Sequence, residues 1–432
     1  MDSHSLHSAV NYKFLGNVVL LGSHMFTSFL NMRQYMKQKD QRIPESLRKQ
    51  KHFKMSEEEI KKSKAYNADK MALTIVRTTI DLVVMAFLIM INYYPLLWET
   101  LLEYTGSMYM SIFAFTFVDS LRASVFEVIF DYYSIFGIEE RYGFNKTTLN
   151  TFVMDKVKGL VLGLVLGGGF FCLLTIVVEY FSDKFFLVSC VVSTVFLMFV
   201  IFLYPIVIMP MFNKFEPLNQ EDKKEKEIYE GLVVLCKKIE FPLTELYKID
   251  GSKRSAHSQA FFFGFFNKKK IVVYDTLIEK ASVKEIIAIV GHELGHWKHK
   301  HNVAMLIIQN LFIYLFMGLF SLFLNSDKFY YDFGFSNKYP FMGITIFTIF
   351  FSPISIICSA LICAIVRRNE FQADRYSASL GMGEDLAKGL SALFKDNKAD
   401  LDPDHLYALF NHTHPGLSER LAALDTEMTK RK

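Results

Sequence analysis

The chain has 432 residues, 51% of them hydrophobic, with 43 Phe and a net charge of only +4. So even a balance provides no basic surface of the kind a nucleic acid requires, and no nucleic-acid partner is expected. The five cysteines are scattered with no Cys-x-x-Cys pair, which gives no support to a thiolate metal site or a disulfide framework.

The apolar residues fall in blocks. In chain order the predicted membrane spans are Phe14–Met32, Thr79–Trp98, Ser107–Phe130, Gly159–Glu179, Phe185–Met209, Val303–Leu324 and Tyr339–Val366. Each is near the ~20 residues that cross a bilayer. The chain is therefore predicted to be a mainly α-helical polytopic membrane protein in contact with a lipid bilayer. Asp81, Asp119, Arg122, Glu127 and Glu179 lie inside these blocks, where charge is costly against lipid. They either pair within the bundle, as the i,i+3 spacing of Asp119 and Arg122 allows, or line a water-filled cavity. The pattern leaves both open.

Basic residues set the orientation. Arg33–Lys70 holds twelve Lys or Arg, and the connection Asn213–Asn302 is Lys-rich. The links after the second, fourth and sixth spans hold few, Lys184, Lys328 and Lys338 among them. The positive-inside rule then puts the basic connections and the C-terminus in the cytosol and the N-terminus in the lumen. The first span has no small-residue cleavage site and is predicted to be retained. Four parts follow: 1–209 with spans one to five, 210–302 as a cytosolic segment, 303–366 with spans six and seven, and 367–432 as a cytosolic C-terminal segment.

In the long cytosolic connection, Glu221–Glu240 has helical spacing, while Leu246–Ile249 and Lys270–Tyr274 read as short strands. Between them Ser252–Phe265 is either an exposed edge that pairs with an extended peptide or an ordinary buried strand. Ser282 and Glu285 have capping-box spacing, and Ile286, Ile289 and Val290 form an apolar helical stripe. This predicted helix carries His292-Glu293-Leu294-Gly295-His296. Residues four apart share a helix face, so two imidazoles can grip one zinc ion while Glu293 takes a proton from an attacking water.

The third ligand decides the class. In the metzincin pattern it would fall at Asn302, which fails. His299 lies about 10 Å along the helix axis from His292, too far for one ion with bonds near ~2 Å. His299 and His301 are expected to form a basic helix end near solvent. Downstream, Glu370 and Asp374 are four apart. Glu370 completes a His, His, Glu site for one zinc per chain, and Asp374 can accept from the far nitrogen of a ligand histidine. Three protein ligands suit a catalytic site, since a structural one is closed by four. Beyond a helical cap, His414 precedes Pro415, and near the metal it could donate to an oxyanion.

Several motifs in this order resemble the type I CAAX prenyl proteases, zinc endopeptidases of the endoplasmic reticulum and inner nuclear membrane. They are Ile138–Asn145, Tyr204-Pro205, Phe215–Leu218, Gly251–Phe265, Gly291–Lys298, Glu370–Asp374, and His414-Pro415 with Glu419-Arg420-Leu421. The resemblance implies seven transmembrane helices around an intramembrane chamber and a cytosolic gluzincin-like protease domain with a small β-sheet. It implies zinc ligands His292, His296 and Glu370, general base Glu293, supporting carboxylate Asp374 and transition-state donor His414. It implies a substrate edge at Ser258, Gln259, Ala260, Phe261 and Phe263. There the sequence departs, with Gln259 where Asn is usual and Phe261 and Phe263 where Tyr is common. The implied substrates are prenylated proteins ending in a CAAX sequence, which lose their last three residues, with a second upstream cut in certain cases. The alternatives are a membrane quality-control zinc protease indifferent to prenylation, and a non-enzymatic bundle with a structural zinc. The terminal Lys430-Arg431-Lys432 is only weakly like a retrieval signal.

Overall fold

The computed structural model describes residues 11–40, 42, 45–53, 55–265 and 268–430. Arg431 and Lys432 of the terminal basic tripeptide lie outside the described residues. Six of the seven predicted spans coincide, to within three residues at an end, with continuous helical stretches, and Phe185–Met209 passes through a short π-helical segment at Tyr204–Ile208. The second differs. Its helix begins at Glu57, where Ser56 and Glu59 form a capping box, and stops at Met90. Asn92 then takes a left-handed φ of 54° and a separate helix, Tyr93–Thr105, follows. The predicted span Thr79–Trp98 thus straddles a break. Apolar content carried the sequence reading through it, because Asn tolerates that conformation without any change in hydropathy.

Among the described residues, four helical stretches are long and apolar enough to cross a membrane: Glu57–Met90, Leu149–Phe212, His301–Ser321 and Pro340–Asp396. Leu149–Phe212 holds two predicted spans joined through the short turn Ser182–Lys184, and its two halves pack on each other. Neighbouring helices touch in sequence order, and Pro340–Ser377 packs on both His301–Ser321 and Tyr12–Lys39, which closes the ring. An aromatic core holds one end of this ring, with Trp98, Phe320, Phe329 and Tyr330 fully buried.

The charges inside the spans both pair and line space. Arg122 meets Asp119 at 2.7 Å, and Lys156 meets Glu127 at 2.9 Å and also Asp131. Tyr109 donates to Glu179 at 2.5 Å, while Asp81 is exposed on its helix. Glu127, Asp131 and Lys156 line a cavity of about 910 Å³ between Met108–Tyr132 and Leu149–Phe181, which extends to Arg254, Ser255 and His257.

A second core gathers residues of 218–294 with Leu47, Ile60 and the C-terminal Leu386, Leu417, Leu421 and Leu424. Its sheet has the order β1-β2-β4-β3, with β1 Phe215–Pro217, β2 Leu243–Ile249, β3 Ala260–Phe265 and β4 Lys268–Tyr274. β2 runs parallel to β4, and β3 runs antiparallel to it. β3 is therefore an edge strand, which resolves the open choice for Ser252–Phe265. The motif Ile138–Asn145 braces the entry to this strand. Phe144 stacks on His257 with ring centroids 4.2 Å apart, and Ala256 N–H donates to Phe144 C=O at 3.0 Å.

Candidate metal centre

Two helices meet to build the site. Val283–Lys298 starts at the predicted capping box, with Ser282 N–H donating to Glu285 Oε2 at 2.8 Å. It carries His292, Glu293 and His296. Pro340–Ser377 has 38 residues, about 57 Å of helix at ~1.5 Å per residue. That is well beyond a bilayer core of about 30 Å, so its last turns project past the apolar run and carry Glu370 and Asp374.

The structure brings His292, His296 and Glu370 together, with one ligand atom from each within 4.8 Å of the others. His292 Nε2 and His296 Nε2 are 3.2 Å apart, and they lie 3.5 and 3.2 Å from the Glu370 carboxylate. The proton inventory explains why these atoms face one another. Asp374 Oδ1 lies 2.8 Å from His292 Nδ1 and takes its N–H. His301 Nδ1 lies 2.9 Å from His296 Nδ1, and His301 Nε2 lies 2.9 Å from Gln372 Oε1. With Gln372 as the final acceptor, His301 donates from Nε2 and accepts at Nδ1, so His296 donates from Nδ1. Both Nε2 atoms are then lone pairs pointed at a carboxylate. Three acceptors around one point, with no donor among them, suit a cation.

The electrostatics agree. Burial opposes charge on His292, but Asp374 and Glu370 outweigh it and hold the imidazole up at about 9, so a proton competes with a cation for the Nε2 lone pair. Burial would raise Glu370, yet His292, His296 and His414 hold it far below the ordinary carboxylate range. Burial also works against ionised Asp374, and Arg420 with His292 overcomes it, to about 2. The cluster is built to hold positive charge. Glu370 Oε2 is buried without a hydrogen bond, although His414 Nδ1 lies 2.9 Å and Arg420 Nη1 3.5 Å from it. Such an orphan suits a metal ligand.

Glu293 lies beside the cluster on the wall of a cavity of about 530 Å³, and burial pushes its carboxyl up. His414 is at the mouth of the same cavity, mostly exposed in the loop between helices His405–Asn411 and Leu417–Thr429. Ser258, Gln259 and Ala260 form another part of the wall. Phe261 and Phe263 are not brought there, which corrects the expected substrate edge. A strand alternates its faces, so Ala260 and Phe262 face the core while Phe261 and Phe263 face away. Phe263 instead lines a separate cavity of about 930 Å³ with Met198, Phe202 and Pro205.

A second correction concerns His301. It was expected near solvent with His299, but it is buried against His296. His299 does stay exposed at the helix end. Lys300 has a left-handed φ of 55°, which ends one helix and starts the next, and turns His301 inward. Arg420 was visible only as part of a motif. Buried, it reaches both oxygens of Asp374 at 2.9 and 2.6 Å and so fixes the carboxylate that holds His292.

Comparison with known proteins agrees with this geometry. Residues 32–214 match a family model described as the CAAX prenyl protease N-terminal region with five membrane helices, and residues 220–428 match peptidase family M48. A CAAX prenyl protease 1 homolog of Arabidopsis thaliana is 32% identical, over 96% of this chain and 99% of that protein. CAAX prenyl protease 1 of Saccharomyces cerevisiae is 30% identical over 99% and 98% of the two chains. The crystal structure of S. mikatae Ste24p superposes with a TM-score of 0.89 at 30% identity, covering 96% of this chain and 99% of that one. Architecture, metal-seeking cluster and similarity converge: the chain belongs to peptidase family M48, on its CAAX prenyl protease 1 branch, and is a multi-pass membrane metalloendopeptidase.

Proposed function

We propose that this chain is a zinc endopeptidase that removes the last three residues from prenylated proteins ending in a CAAX sequence. The observation that carries the reading is the set of three acceptors, His292 Nε2, His296 Nε2 and Glu370, two of which, His292 and Glu370, line a cavity that Ser258, Gln259 and Ala260 also line. Four-coordinate zinc with bonds near ~2.0–2.1 Å separates its ligand atoms by about 3.3 Å. The separations of 3.2 and 3.5 Å support that ion.

Bound there, zinc would polarise the scissile carbonyl and lower the pKa of an attacking water. Glu293 accepts the water's proton and returns it to the leaving amine, and its position away from bulk water keeps its basicity useful near neutral pH. Asp374 and His301 fix the tautomers of the two ligand histidines. His414, exposed at the cavity mouth, donates to the oxyanion. The substrate pairs as an added strand with β3, where Ser258, Gln259 and Ala260 meet the cavity.

Prenylated tails partition into membranes, at about 0.8 kcal/mol per buried CH₂. That gives a physical reason for a protease whose ligand helices adjoin membrane spans. The basic connections support a cytosolic site and a lumenal N-terminus in the endoplasmic reticulum membrane, and the four-part division of the chain at 209, 302 and 366 goes with that topology. The test is cleavage of a farnesylated CAAX peptide and its unprenylated twin, each with and without chelator. Chelator-sensitive release of the tripeptide from the farnesylated peptide is expected. Equal cleavage of the twin would favour a general membrane protease, and cleavage that survives chelation would refute the zinc site.

A further inference from the structure

The helix His405–Asn411 has only seven residues, and its C-terminal end feeds directly into the loop that carries His414. The last carbonyls of a helix have no partners within it. Here a stripe of side chains on the helix Pro340–Ser377 takes them. Ser359 Oγ donates to Phe410 C=O at 3.0 Å, and Cys363 Sγ lies 3.5 Å from the same oxygen. One turn further, Arg367 Nη1 donates to Ala408 C=O at 2.7 Å and to His412 C=O at 2.6 Å. A terminal guanidinium nitrogen carries two hydrogens, so one nitrogen bridges both carbonyls.

The stripe runs on into the metal site. Ser359, Cys363 and Arg367 are four apart, and Glu370 and Asp374 continue the same face of the helix. Arg367 precedes Glu370 by about 4.5 Å along the axis. The far end of the loop returns to this helix as well. Gly416 N–H donates to Glu419 Oε2 at 3.0 Å at the start of the helix Leu417–Thr429, whose Arg420 grips Asp374. His414 thus lies midway between two fastenings, and an arginine ties each of them to the helix with the carboxylates.

Residues 411–416 all line the metal cavity, and His414 Nδ1 comes 2.9 Å from Glu370. Arg367 is not part of that wall and reaches it only through the main chain. The His412 ring packs on Tyr407 and faces Asp400 across 3.9 Å, beyond hydrogen-bond reach, so the carbonyl is the firm point of this residue. A donor to an oxyanion works only when it is held where the charge develops. An exposed side chain on a loop is held there by its main chain. We propose, resting on the function above, that Arg367 is a positioning residue: from the helix that carries Glu370 it holds the main chain at His412 and thereby sets where His414 meets the substrate.

The experiment uses the full chain with its metal and a farnesylated CAAX peptide. The parent, Arg367→Met, Arg367→Lys, His414→Ala and the double variant Arg367→Met/His414→Ala are compared for kcat, KM and metal content. Methionine keeps an unbranched stem and removes every donor. Arg367→Met should lower kcat by about 10-fold with KM and metal content unchanged, less than the roughly 100-fold expected from losing the donor itself. Beside His414→Ala the same substitution should cost under about 2-fold, because groups that act through one another are not additive. Arg367→Lys should recover most of the rate, since an ammonium also has donors for both carbonyls. Losses that multiply in the double variant overturn the proposal, and so does a loss carried by KM or one that lysine leaves in place. An unchanged kcat in Arg367→Met or in His414→Ala overturns it too. Should Arg367→Met lose its metal, the cycle is run with Arg367→Gln, which keeps a polar head with less reach. A fall in kcat that vanishes beside His414→Ala then supports the proposal, and a fall that multiplies, or none at all, overturns it. A parent that fails to cleave the peptide refutes the proposed function instead, so the two failures are distinguishable.

Discussion

Gly295 faces Ala373 so closely that a Cβ on the glycine would lie 2.9 Å from Ala373 Cα and 3.1 Å from its C=O oxygen. The helix with both histidines and the helix with both carboxylates therefore touch through backbone. The contact falls one residue before His296 and one before Asp374. It sets the spacing across which the ligand atoms of His292, His296 and Glu370 meet.

Gly295→Ala tests this contact. Alanine should favour the helix by about 1 kcal/mol. Overpacking against backbone that cannot rotate away should cost about 1–3 kcal/mol. The clash is expected to win and part the helices, weakening metal binding by about 10-fold or more. Competition against a calibrated chelator measures it. Unchanged affinity with a raised Tm would show that the contact yields.

His301→Ala removes the acceptor that orients His296. Groups of this kind typically contribute about 10–100-fold in metal affinity. The same loss is expected here, with activity partly recovered at high zinc because Glu293 is untouched. If affinity holds, the 2.9 Å contact between His301 and His296 is packing alone.

Glu293→Gln should abolish hydrolysis, by at least ~100-fold, while leaving zinc bound, since it removes a base and no ligand. Near-normal turnover in a zinc-replete variant would remove Glu293 from the mechanism.

Glu370→Ala should lose the metal as well as the activity, because nothing else in that helix turn reaches both histidines. One zinc per chain at parental affinity would mean that another residue is the third ligand.

What could be foreseen follows from distance along the chain. His292, His296, Glu370 and Asp374 announce themselves because i,i+4 pairs must share a helix face whatever the fold. The capping box at Ser282 and Glu285 is equally local. Arg420 is different, since it meets Asp374 across 46 residues and only the packed cap brings it there. His301 was misjudged because a single left-handed residue, Lys300, reverses the direction of its side chain. The break at Asn92 escaped for the same reason, because one backbone angle leaves no trace in hydropathy. Ser252–Phe265 was legible as holding a strand, which is Ala260–Phe265, but which of its main-chain groups face outward depends on register, and a one-residue shift inverts it.

That register decides the proline test of the substrate edge. Gln259→Pro is the natural first choice from sequence, but Gln259 turns its main chain toward Tyr274, whose N–H donates to its C=O, so proline there removes no donor from the open edge. Ala260 points its N–H to the open side, where proline on an edge strand is tolerated. Ala260→Pro should therefore keep the fold and the zinc and lose one main-chain bond to the substrate. A net hydrogen bond of about 1 kcal/mol predicts a fall in kcat/KM of about 5-fold, carried mainly by KM. Gln259→Pro should have the smaller effect on kcat/KM, since its N–H does not face the open side. The two variants are compared for metal content, thermal stability and cleavage of the same farnesylated peptide. If Ala260→Pro retains its zinc and its kcat/KM is unchanged, the substrate does not pair with this edge, and the strand-addition reading falls while the metalloprotease stands.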